Sequence, residues 1–168
     1  MNTRIESLKD LFEEEVQRLY SAEDQLIRAL PDLEGNADHK ELKSTFTQQL
    51  DRAHDQRERL GKIADERDIK LAETKDEGMV CLLKEAYDRM DRADGGSPKD
   101  ASMILAAQRA LHYVVAGYGA CHHYAKLLNY EQAADHLQTT LTEKKESDKE
   151  LTKMAKGAIN VEAAQLAD

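Results

Sequence analysis

The sequence predicts an all-α fold, a four-helix bundle, on three observations. Alanine, leucine, glutamate, lysine, glutamine and arginine dominate a chain with two prolines and no tryptophan, and its β-branched residues are scattered. Apolar residues recur at steps of three and four over long stretches, the period of a helix with one buried face. The stretches are separated where glycine, asparagine and proline gather. At 168 residues the chain is one domain, 1–168, long enough to bury a single core.

The first helix is expected over about 4–34, started by a capping box of Thr3 and Glu6. Ile5, Leu8, Phe12, Leu19, Ala22, Leu26, Leu30 and Leu33 form its stripe, Gly35-Asn36 stops it, and Pro31 bends its last turn. Asp38 and Glu41 repeat the capping pattern and open a second helix, about 39–68, with Leu42, Phe46, Leu50, Ala53, Leu60 and Ala64 inward. A polar connection and a shorter helix, about 77–93, follow. In "DGGSPKD" two glycines break the chain, Ser97 caps, Pro98 suits the first helical position and Asp100 favours the helix dipole.

The third long helix, about 98–128, carries Ile104, Gln108, Leu111, Val115, Tyr118, His122 and Ala125. The fourth, about 131–156, carries Ala134, Leu137, Leu141, Lys144, Asp148, Leu151 and Ala155, and Gly157 ends it. The tail, 157–168, needs to dock on the bundle to be held. Two helix pairs joined by a crossover that contains a short helix have the ferritin-like connectivity.

The formal net charge of -9 excludes general binding to a phosphate backbone, and no basic stripe compensates. No apolar run is long enough to cross a bilayer, and the N-terminal stretch lacks an apolar signal region. A cytoplasmic protein without nucleic-acid or membrane partners is expected. Cys81 and Cys121 make neither a disulfide framework nor a metal-binding pattern, and both are expected as small buried thiols.

Polar residues at apolar positions carry the chemical interest. Glu23 has Leu19, Tyr20, Leu26 and Ile27 as helical neighbours, so its carboxylate needs a cation, a metal or a proton unless it reaches solvent. Asp51 and His54, three apart, share one helix face and could offer an oxygen and a nitrogen to one metal. The same spacing also occurs in ordinary surface helices. Lys144 and Asp148 fall on the core stripe of the fourth helix, either as an ion pair with each other or with Lys144 opposite Glu23. His112, His122 and His123 are poorly spaced for a metal, whereas Tyr113, Tyr118 and His122 suit the lining of the bundle or of a dimer seam. Gly117 and Gly119 would let another helix approach closely.

The stretches "LYSAEDQLIRALP", "AAQRALHYVVAGYG", "LTEKKESDKELTKMA" and "GAINVEAA" resemble the bacterial YciF/YciE-type ferritin-like proteins, in the family's order and over nearly the whole chain. The resemblance implies a rubrerythrin-like four-helix bundle, a homodimer, a role in bacterial stress responses and no established reaction. It also implies a di-metal site of inward carboxylates. Carried over by position, Glu23 is kept, and Asp51 with His54 stands for the second helix. The third helix has Leu111 and Val114 where the family has glutamates; the fourth has Lys144 for its inward glutamate, with Asp148 surviving. A di-iron centre needs carboxylates from all four helices. The sequence therefore predicts a degenerate site with no cofactor and no catalytic residues, the alternative being iron or manganese on Glu23, Asp51, His54 and Asp148. A third reading is a structural or partner-binding dimer.

Overall fold

The structure is a computed structural model, and it describes residues 4–71 and 75–167. It is all-helical: among the described residues there is no strand. Helices α1 (Leu8–Asn36) and α2 (Lys40–Glu66) form one hairpin, and α4 (Gly96–Leu127) and α5 (Glu131–Met154) form another. Between them α3 (Glu77–Asp91) makes the crossover and packs on α4 and α1. The hairpins pack with α1 against α4 and α2 against α5, closing a four-helix bundle.

The helix starts differ from the expected ones in an informative way. Thr3 lies outside the described residues. The capping box sits a turn later: Ser7 caps α1 by accepting from Asp10 N at 3.2 Å, and the Ser7 hydroxyl donates to Asp10 Oδ2. Asp38 does not cap α2. The cap position is His39, and Asp38 N and His39 N both donate to the buried Asp100 of α4, at 2.9 and 2.8 Å. In return Asp38 accepts from Gly96 N at 2.6 Å, which holds its carboxyl below the usual range. Each hairpin thus has its acid on the other's helix start. Gly95, not Ser97, takes the cap of α4; its φ of +101° is one that glycine adopts without strain. The freed Ser97 hydroxyl donates to Glu162 Oε2.

The crossover is fixed at its own start. Asp76 caps α3 by accepting from Met79 N at 2.7 Å, and the Tyr113 hydroxyl of α4 donates to the same carboxylate at 2.9 Å. Gly78 lies directly under the Tyr113 ring, where a Cβ would come within 2.9 Å of Cε2. Tyr113 is therefore a clamp on the crossover, not a lining of the bundle interior.

Helix α5 does not end at Gly157. It continues through a π turn, Ala155–Ile159, into α6 (Asn160–Ala164), and Ile159, 1% exposed, docks the tail on the bundle. The two cysteines part company: Cys121 is buried, with burial pushing its thiol pKa up, while Cys81 is exposed. The Cys81 position lies on the outer face of α3, whose inward residues are Met79, Ala86 and Met90.

Candidate functional site

Glu23 of α1 is completely buried. Its environment follows from the helix period: Leu19, Ala22 and Leu26 beside it are core residues, so the carboxylate is carried into the bundle with them. An isolated charge there would be prohibitive. Lys144 of α5 meets it, with Nζ 2.9 Å from Oε2 and 4% exposure for the residue. Tyr118 of α4 donates its hydroxyl to the other oxygen, Oε1, at 2.8 Å. Burial, with the Glu23 charge adding to it, holds the Tyr118 hydroxyl pKa well above that of an ordinary phenol, so it stays a donor.

Apolar and small residues close the remaining sides. Leu111 and Val114, 5% and 0% exposed, occupy the α4 face one to two turns before Tyr118. Gly117 lets α4 come close to α1: a Cβ there would press on Glu15 and Leu19. That close approach is within the chain. Tyr118 is wholly interior and so lines the bundle, while Gly119 meets nothing within 4 Å among the described residues. Glu15 itself is half-buried, and burial raises its carboxyl pKa against the opposing charge of Arg18.

Asp51 and His54 are not part of this centre. Both are exposed, because the inward face of α2 is Leu42, Phe46, Gln49, Ala53, Gln56, Leu60 and Ile63. Of the expected stripe, Leu42, Phe46, Ala53, Leu60 and Ala64 are buried, and only Leu50, half-buried, stands off it, its place taken by Gln49. Sequence reasoning missed Gln49 and Gln56, although their seven-residue spacing around Ala53 keeps register with Phe46 and Leu60. Gln56 Nε2 donates to Glu143 Oε2 at 2.9 Å, and Arg59 grips both oxygens of Glu143 at 2.7 and 2.8 Å. Burial opposes the charge on Glu143, but these bonds outweigh it and hold its carboxyl below the usual range.

Asp148 is also displaced from its expected place. Ser147 takes the core position of α5, four residues before Leu151 and three after Lys144. Asp148 leans toward α4 instead, accepting from Gln108 Nε2 at 2.9 Å and lying 3.2 Å from His112 Nε2. His112 is mostly exposed, His122 half-buried and His123 exposed; none of the three reaches Glu23.

The sequence of the chain matches one family over residues 7–164, the family described as domain of unknown function DUF892. The chain belongs to that family. Its relatives include protein YciF of Escherichia coli K12, 33% identical over 160 residues that cover 95% of this chain and 96% of the relative. The crystal structure of the E. coli stress protein YciF superposes with a TM-score of 0.89, covering 93% of this chain and 99% of that one. YcfI of Rhodopseudomonas palustris, proposed to be a structural protein, superposes at 0.86 with 26% identity, covering 90% and 97%. Within this DUF892 chain, the described residues hold no group of three or more His, Cys, Asp or Glu side chains arranged to hold a metal ion.

The donor set at the centre does not fit the two-metal site that the resemblance implies. One carboxylate is present where four helices should supply several, and both its oxygens are engaged, one by a hydroxyl and one by a cation. A divalent ion beside Glu23 would also face the ammonium of Lys144 at close range. Fit on charge and on ligand number fails together.

Proposed function

We propose that this DUF892 protein is a stress-associated ferritin-like bundle that works without metal and without catalysis, as a cytoplasmic homodimer. The observation that supports it most is the closed bonding of Glu23: Lys144 balances its charge and Tyr118 takes its second oxygen. Leu111 and Val114 support the same reading by filling with hydrocarbon the positions from which α4 would offer carboxylates. The relationship to the E. coli stress protein supports the physiological setting. No helix among the described residues is long and apolar enough to cross a membrane, which agrees with a cytoplasmic place of action.

Metal analysis of protein purified without chelators tests the reading. Iron and manganese well below one ion per chain are expected, and unchanged by supplementing the growth medium. Stoichiometric iron or manganese, lost on Glu23→Ala, would overturn it. Light scattering tests the dimer, for which twice the 19.0 kDa chain mass is expected.

A further inference from the structure

A narrow slot of about 30 Å³ lies beside the central pair, and its two walls differ in kind. Helices α1, α3 and α4 present hydrocarbon, including Leu26, Leu83 and Leu111. Helices α2 and α5 present Gln49, Arg52, Gln56, Lys144 and Ser147, with Arg52 donating to Ser147 Oγ and to both oxygens of Glu150. The glutamines are 8% and 1% exposed, yet Gln49 Nε2 and Gln56 Oε1 have no hydrogen-bond partner among the described residues. Left so, each would keep the full desolvation penalty of a buried polar group.

The direction of the Gln56 amide is fixed by chemistry. Its Nε2 donates to Glu143 Oε2, which an amide oxygen cannot do, so the atom left over is an acceptor. Lys144 has three N–H groups, and Glu23 accepts one of them. The polar wall therefore offers donors from Gln49 and Lys144 and an acceptor from Gln56. Its net charge is zero, because Glu23 balances Lys144 and Glu150 balances Arg52. A cation would meet the ammonium, and an anion would lack a free counter-charge and would face the Gln56 carbonyl.

We infer that the slot is a binding site for one small neutral hydrogen-bonding molecule, a resident water that accepts from Lys144 and Gln49 and donates to Gln56. Three bonds are the usual complement of a buried water, and the slot exceeds the roughly 10–15 Å³ that one water requires. It is far below the roughly 150 Å³ that holds a benzene-sized ligand. The water gives the buried ammonium a second acceptor, so the ion pair is solvated from within the core.

A crystal structure at a resolution that shows ordered water tests this. One peak is expected within hydrogen-bonding distance of Lys144 Nζ, Gln49 Nε2 and Gln56 Oε1. An empty slot, an ion or an organic molecule in it, or the two glutamines turned onto each other would overturn the inference. In Gln56→Met, which keeps side-chain length and removes the acceptor, the peak should be lost while the Glu23–Lys144 contact persists. A water that remains at full occupancy in that variant would overturn the role given to Gln56.

Discussion

Two carboxylates on opposite helices of this bundle, α1 and α5, carry nearly the same kind of bonding in different surroundings. Glu23 has a lysine and a tyrosine hydroxyl and is wholly buried; Glu143 has an arginine and a glutamine amide and keeps 25% of its side chain exposed. Glu143 can lose a partner to water. Glu23 cannot, because its surroundings are Leu19, Ala22 and Leu26 rather than solvent. The comparison teaches that the bonding pattern alone does not set the energetic weight of an ion pair. Access to water does, since a buried charge without a partner keeps its full desolvation cost.

The largest effect expected from this contrast is that of Lys144→Ala. It should destabilise the protein by about 3–5 kcal/mol in denaturant unfolding, as breaking a buried pair on one side does. A loss below about 1 kcal/mol would mean that water reaches Glu23 and that the two carboxylates are alike. Next comes Tyr118→Phe, which removes one hydrogen bond to a charged group and should cost about 1.5–3 kcal/mol. Because the fold raises the Tyr118 pKa, its contribution is present below the unfolded phenol value of about 10 and is lost as pH rises beyond it. Stability curves above pH 10 should therefore fall less steeply in Tyr118→Phe than in the native chain.

Arg59→Ala should cost less, about 1 kcal/mol or below, because solvent screens and replaces the lost partner. Here the sign of the pH dependence is opposite. The fold lowers the Glu143 pKa, so its contribution is present above the unfolded carboxyl value of about 4.3 and is lost as pH falls through the folded one. Glu143→Gln should flatten the acid limb of the stability curve. An unchanged acid limb would show that the Arg59 cluster contributes nothing that titrates.

The bundle and its crossover were legible in the sequence because long amphipathic stripes and the Gly95-Gly96 break are local signals. The pairing of Glu23 with Lys144 was legible for a similar reason: each is a charge set among apolar neighbours at helical spacing, and each needs the other. The polar members of the α2 face were not. Leu42, Phe46, Ala53, Leu60 and Ala64 stand inward as expected, but Gln49 and not Leu50 fills the place between Phe46 and Ala53, Gln56 follows it, and Asp51 and His54, which share a face by spacing, share an exposed one. On α5 Ser147 and Asp148 differ by one position in the same way, and the small hydroxyl, not the carboxylate, faces the core. Asp38 and Asp100 could not be read locally either, because each serves the start of the other's helix across the fold.

A double-mutant cycle on Glu23→Gln and Lys144→Met tests the central claim most directly, since Gln keeps an acceptor for Tyr118 and Met keeps the length of the lysine stem. Each single variant leaves one buried charge alone, and the double variant leaves none. The account predicts that each single change costs about 3–5 kcal/mol and that the double change costs less than either, a coupling of several kcal/mol. Additive losses, with the double variant as destabilised as the sum of the singles, would contradict it.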